Sequence, residues 1–241
     1  MVPKQTATQN EILTLLDSHA DQKSSLAMTK SYWGMILSQD INTVAVDKHR
    51  AVFQALDRDF CAALEGCVHL HSHFLPKPVK ARVRDPSVRR GMFTLSDFSY
   101  IEGDWKERLH ERVQPKEPTY VSLCYRRENI RASLLDISLS GMGVLVCISD
   151  DHELEFQPNS SVCTDFQTSP TFRWTKLGGA IHYQQKMSRS IARLGIRLYP
   201  KIEQARQLEK YIANRKAEIM EEFDQAYIDA PIQSSVEFQY F

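Results

Sequence analysis

Apolar and polar residues alternate through most of the 241-residue chain, and the period turns helical only near its end. The clearest alternation lies in residues 190–199. There Ala192, Leu194, Ile196 and Leu198 make an apolar face, and Ile191, Arg193, Gly195 and Arg197 a mixed one, as in a barrel strand. Residues 119–126 and 130–138 read as two strands joined by a hairpin turn at Glu128 and Asn129. SGMG, from Ser140, reads as the next turn, with a third strand over residues 144–149 and further strands around 161–166 and 171–183. From Ile202 the spacing of Ala205, Leu208, Ile212, Ile219, Phe223 and Tyr227 predicts one stripe of a long helix. That stripe reads as core or domain cover, with a partner seam as the alternative. The tail after Ala230 and Pro231 reads as loose.

The first half is less regular. Residues 1–25 read as a frayed lead-in or a short helix with an amphipathic piece from Ile12 to Leu16. Residues 31–47 suggest two strands around a polar turn at Gln39, Asp40, Ile41 and Asn42. Val52, Phe53, Leu56, Phe60, Ala63 and Leu64 are spaced for a helix or helical turn closed by Gly66. Residues 67–74, 79–84 and 91–98 are short strands. The expectation is a mainly β protein: a small, mostly β N-terminal part, then a larger β part with a C-terminal helix.

Composition narrows the function. Thirty basic residues balance thirty acidic ones, which argues against gripping a nucleic acid backbone as the main task. There is no apolar run long enough to span a membrane and no signal-peptide pattern, so a cytoplasmic location is expected. The five cysteines form no CxxC pair and read as reduced, mostly buried thiols. No motif for a nucleophile elbow, a Walker loop or a zinc protease occurs, so the chain is not expected to be an enzyme. His69, His71 and His73 alternate as on one strand face, which reads as a polar sheet surface rather than a metal site. The basic residues 77–90 read as a solvated strand edge, with an acidic partner or nucleic acid as the alternative.

Two motifs carry more. ERLHERV places Arg108 and Arg112 four apart, and DISLSG places Asp136, Ser138 and Gly141 at fixed offsets. The RxxxR spacing alone occurs four times, so it decides nothing by itself. Arg112 and Asp136 are 24 positions apart, room for one strand out and one strand back. That layout returns the DxSxxG turn to the side of the segment preceding the first strand.

In this order and spacing, RLHERV and DISLSG resemble the PilZ domain, a bacterial receptor for cyclic di-GMP. GGAIHY, RLGIRLYP and the helix EQARQLEKYIANRKAEI resemble its later strands and C-terminal helix. The upstream β part resembles, in layout, the N-terminal domain of YcgR-type proteins. The resemblance implies a six-stranded antiparallel PilZ-type barrel with a C-terminal helix. It also implies four divisions: a lead-in at 1–25, a YcgR-like domain at 26–104, a PilZ domain at 105–228 and a tail at 229–241. It implies cyclic di-GMP as ligand, with no cofactor or metal, held by Arg108, Arg112, Asp136, Ser138 and Gly141. The mixed face of the last strand, with Arg193, Gly195 and Arg197, adds to the site. Arginine suits this ligand because its planar fork pairs with phosphate or with the guanine edge, and its flat face stacks on a purine. Glu107 stands where many members carry another arginine, and its charge disfavours a stacked pair of ligands. The implied protein is a cytoplasmic effector, monomer or dimer, that changes domain orientation on binding. It would signal to a protein partner in the flagellar motor or the exopolysaccharide machinery, in control of motility, biofilm or virulence. A PilZ-like scaffold that no longer binds nucleotide is the alternative, and a DNA-binding regulator using the basic stretch is a third.

Overall fold

The computed structural model describes residues 4–20, 25–102, 110–148 and 155–229. Among these, the alternation resolves into two closed antiparallel barrels of six strands each and two long helices. The chain divides into two compact units. The first comprises Met1–Tyr32, Ile36–Glu107 and Met220–Phe241, and the second Trp33–Met35 and Arg108–Ile219.

The barrel of the first unit uses β1 (Leu26–Tyr32), β2 (Met35–Val46), β3 (Arg50–Ala55), β4 (Cys67–His71), β5 (Val79–Ser87) and β6 (Met92–Tyr100). Their order is β1-β2-β3-β6-β5-β4, closed by pairing of β1 with β4. Helix α1 (Lys4–Ser18) lies against β6 and β3 and buries Ile12, Leu13 and Leu16. The lead-in is therefore a structural helix. It explains a misreading of the sequence: Ala51, Val52 and Phe53 are buried consecutively in β3, and such a run looks helical. Only the second part of that stretch is helical, a 3₁₀ turn at Arg58–Ala63 whose N-cap Asp57 accepts from the Asp59 N–H. Gln39, Asp40, Ile41 and Asn42 are not a turn either. β2 runs through them, and the chain reverses instead at Trp33 and Gly34, both at positive φ, the two-residue turn that matches strand twist.

The basic stretch forms part of the barrel's outer face. Lys80, Arg82 and Arg84 alternate outward on β5, and Arg82 and Arg84 pair with Asp97 at 3.7 and 3.4 Å. His69 and His71 lie on β4, where burial lowers the His71 pKa, but His73 falls beyond the strand and meets Phe74 edge-on. Among the described residues, no group of three or more metal-ligating side chains is placed to hold an ion.

The barrel of the second unit uses β7 (Tyr120–Tyr125), β8 (Glu128–Ile137), β9 (Gly141–Cys147), β10 (Ser161–Ser169), β11 (Phe172–Lys186) and β12 (Ile191–Leu198). Their order is β10-β11-β12-β9-β8-β7. Inward positions such as Val121, Leu123, Val144, Ile181 and Leu194 are fully buried, as the alternation predicts. Helix α2 (Ile202–Asp229) buries Leu208, Tyr211, Ile212 and Ile219 in this unit. Tyr211 meets Trp174 edge-on at 5.5 Å, and Trp174 stacks on Phe166 at 4.7 Å. The last turns of α2 belong to the first unit, where Phe223 meets the Tyr32 ring and Arg89 lies over Tyr227. The stripe is thus core. Among the described residues no helix is long and apolar enough to cross a membrane.

Three details of the second half differ from expectation. The hairpin turn is Arg126 and Arg127, not Glu128 and Asn129, because Glu128 already pairs with Tyr125. Gly141, Met142 and Gly143 are strand, and the turn is confined to the residues before them. Of the free thiols only Cys61 is buried, since the others occupy outward or edge positions. Arg126 and Arg127 sit at φ 50° and 71°, a region that costs non-glycine residues roughly 1 kcal/mol or more each. Replacing them with Asn and Gly, the pair this turn favours, is expected to raise stability by about 1 kcal/mol. The midpoint of urea unfolding measures it.

Candidate functional site

Four strands bring one row of residues side by side across the outer face of the second barrel. Asp136 on β8 pairs with Gly143 on β9, Gly143 with Gly195 on β12, and Gly195 with Tyr183 on β11. Bulges flank the row, one between Leu134 and Asp136 and one between Ile181 and Tyr183. A bulge re-aims the side chains beside it. At the second bulge the rings of His182 and Tyr183 stand 5.9 Å apart, and both residues line one cleft.

The two glycines leave room for their neighbours. A Cβ on Gly143 would lie 3.1 Å from the Asp136 carboxylate, and a Cβ on Gly195 only 2.2 Å from Cε1 of Tyr183. The carboxylate and the ring therefore lie over bare backbone from opposite ends of the row.

Asp136 is 8% exposed, and a carboxylate so far from water needs partners. It has two. Arg112 Nη1 donates to Oδ1 at 3.1 Å and Arg193 Nη2 to Oδ2 at 3.0 Å. The residues around Arg112 are fastened to the same barrel. Val113 and Ile137 exchange backbone hydrogen bonds of 2.9 and 3.0 Å, and His110 Nδ1 lies 3.0 Å from the Ser140 hydroxyl. On the other side Glu111 pairs with Lys216 of α2. The Gln114 carbonyl accepts from Nε of Arg215, which is 2% exposed, and its N–H donates to the Trp33 carbonyl.

A cleft of about 440 Å³ opens beside this arrangement, lined among others by Arg112, Gly141, His182, Tyr183, Gly195 and Arg197. Among the described residues its lining includes two arginines, two rings, the Ser140 hydroxyl and apolar Met142, Ile196 and Leu198, and no carboxylate. Four of the expected site residues, Arg112, Gly141, Gly195 and Arg197, thus share one surface. Asp136 stands behind it as the anchor of Arg112. Ser138 is buried and donates its hydroxyl proton to the Gly141 carbonyl at 3.1 Å, so toward a ligand it offers only lone pairs. Arg108 and Glu107 lie outside the described residues. Reasoning from sequence missed His182, Tyr183 and Gly143. Their signal is a cross-strand register with two bulges, which the linear chain does not display.

No protein-family model matches the chain, and no curated protein does. Solved structures are similar to it. The complex of K. pneumonia MrkH with c-di-GMP is 12% identical, covering 89% of this chain and 96% of that one, with a TM-score of 0.46. YcgR from Escherichia coli in complex with c-di-GMP is 16% identical over 90% and 96%, with a TM-score of 0.42. The PilZ domain of that YcgR with c-di-GMP is 20% identical over 50% of this chain and 99% of that one, with a TM-score of 0.41.

Removing the Asp136 carboxylate leaves two guanidinium groups facing each other without their anion. Asp136→Ala is expected to destabilise the protein by about 2 kcal/mol, below the usual cost of breaking a fully buried pair because both arginines are partly exposed. Chemical denaturation of variant and parent at low and high salt measures it.

Proposed function

We propose that the second barrel binds cyclic di-GMP at the Arg112 cleft, and that the protein is a receptor for this messenger rather than an enzyme. One observation carries the reading: Arg112 from the RxxxR motif is held by Asp136 from the DxSxxG motif at the edge of a cleft that also carries Arg197. Two motifs separated in sequence meet at one ion pair. The chemistry fits a cyclic dinucleotide. Arg112 and Arg197 answer its phosphates, bare backbone at Gly141 permits close approach, and the rings of His182 and Tyr183 offer faces for a purine. Asp136 retains unused lone pairs for a guanine N–H edge, and Arg108 completes the clamp. A scaffold that has lost the nucleotide is favoured by a different fact, that Arg112 and the Ser138 proton are already engaged without it.

The proposal extends to the output. The divisions at 26–104 and 105–228 act as two domains in the cytoplasm, and binding changes their orientation so as to make or hide a surface for a protein partner in motility or biofilm control. The residues that tie 110–114 to α2, Glu111 with Lys216 and Gln114 with Arg215, give ligand-driven movement of Arg112 a route into the helix. Binding shifts such an equilibrium only by its difference in affinity for the two arrangements.

Titration calorimetry is expected to show cyclic di-GMP binding at one ligand per chain, since Glu107 opposes a stacked pair, with little binding of GMP. Arg112→Ala is expected to cost more than about 2 kcal/mol of binding free energy, roughly 30-fold in Kd. An unchanged Kd rules out the clamp, and no binding by the parent leaves the scaffold reading. Small-angle scattering with hydrogen exchange tests the output. Ligand should change the scattering profile and raise protection across residues 105–118, and no change in either refutes a change of orientation.

A further inference from the structure

Cys124 on β7 and Cys163 on β10 are directly paired residues of antiparallel strands. Val121, Leu123 and Tyr125 point inward from β7, as do Val162, Thr164 and Phe166 from β10. The alternation therefore puts both thiols on the outer face, each half-buried and free. Opposed residues of antiparallel strands have Cα atoms about 4.5 or 5.5 Å apart, inside the roughly 4.4–6.8 Å that a disulfide spans. The thiols also sense each other. Burial, then the Asp165 carboxylate, then Cys124 raise the Cys163 pKa, against a smaller lowering by Lys176 and the Thr164 N–H.

We propose that Cys124 and Cys163 form an oxidation-responsive pair that a peroxide closes into a disulfide between β7 and β10. One thiolate attacks the peroxide O–O bond, giving a sulfenic acid, with the second peroxide oxygen leaving as water. The other thiol then attacks the sulfenic sulfur, its hydroxyl departs as water, and the S–S bond forms. The two thiols lose two electrons and two protons, and one peroxide becomes two waters. The other thiols are differently placed. Cys61 is buried, and burial and Asp57 push its pKa up to about 12. Cys67 faces Arg82 across its ladder and Cys147 faces Ile191.

The pair lies where β10 meets β7 to close the ring, whereas the cleft is built on β9, β11 and β12. Closing the bond links residues 39 positions apart and restrains the unfolded chain across that seam. Opposed strand residues hold their Cβ atoms slightly wider than a relaxed disulfide, and a strained, accessible bond is easily reduced, so closure is reversible.

The test uses the full chain, treated with hydrogen peroxide in slight excess. Free thiols are then alkylated, and the digest is read by mass spectrometry without reductant. The expected result is one linked peptide pair joining Cys124 to Cys163, reversed by dithiothreitol and absent from Cys124→Ser. An unfolding midpoint several degrees above that of the reduced protein should accompany it. Peroxide that leaves both thiols alkylatable, carries them to sulfinic acid without a link, or links Cys147 instead overturns the proposal. Mass spectrometry of the closed pair needs no nucleotide, so its outcome is separate from that of the binding titration.

Discussion

The site of the second barrel depends on two glycines paired across β9 and β12. Any side chain at Gly195 would collide with the Tyr183 ring, and one at Gly143 would crowd the Asp136 carboxylate. Because both positions are bare, a carboxylate from β8 and a ring from β11 can lie flat against the sheet, and the cleft is bordered by that ring and by Arg112, which the carboxylate holds. Everything else follows by the need to satisfy buried charge. Asp136 lies nearly out of water, so it draws Arg112 and Arg193 to itself. Arg112 then brings residues 110–114 onto the barrel, and the bridge from Val113 to Ile137 fixes their register.

The same residues face two ways. Arg112 reaches the barrel through its side chain, while Glu111 and the Gln114 carbonyl reach α2. Arg215 is the notable partner here, a nearly buried guanidinium that spends its donors on the Gln114 carbonyl and on Glu218, with the Trp33 ring 5.9 Å away. A lysine could not match its fork, since one point charge cannot serve separated acceptors in fixed directions. The helix is thereby tied to the backbone just after the RxxxR motif and not only to the barrel's aromatic cluster.

Much of this was legible in the sequence, for identifiable reasons. Strands with one wet face, such as β12, announce themselves by alternation, and the meeting of Arg112 with the DxSxxG turn follows from counting residues through one hairpin. The failures share a cause. β3 is covered on both faces, by its own barrel and by α1, so Ala51, Val52 and Phe53 lose the alternation that identifies a strand. β2 carries Gln39 and Asp40 in mid-strand, Asp40 exposed and Gln39 exchanging hydrogen bonds with the backbone of Asp57. Polar residues there imitate a turn. In the site, Asp136 was expected to meet the ligand, whereas its oxygens accept from Arg112 and Arg193. Tyr183 and His182 depend on a bulge, and a bulge has no signature in a linear string.

The membership of the two units has a consequence for how the protein is made. The six strands of the first barrel lie within residues 26–100, so they can all leave the ribosome and pair before any of the second barrel exists. The second unit then needs Trp33, Gly34 and Met35, emitted near the start, and the first is completed by Phe223 and Tyr227, emitted near the end. Neither unit corresponds to one continuous stretch of the message. A gene fragment cut between the barrels would deprive each product of residues encoded on the other side, and would leave the Gln114 N–H without the Trp33 carbonyl and Arg215 without the Trp33 ring.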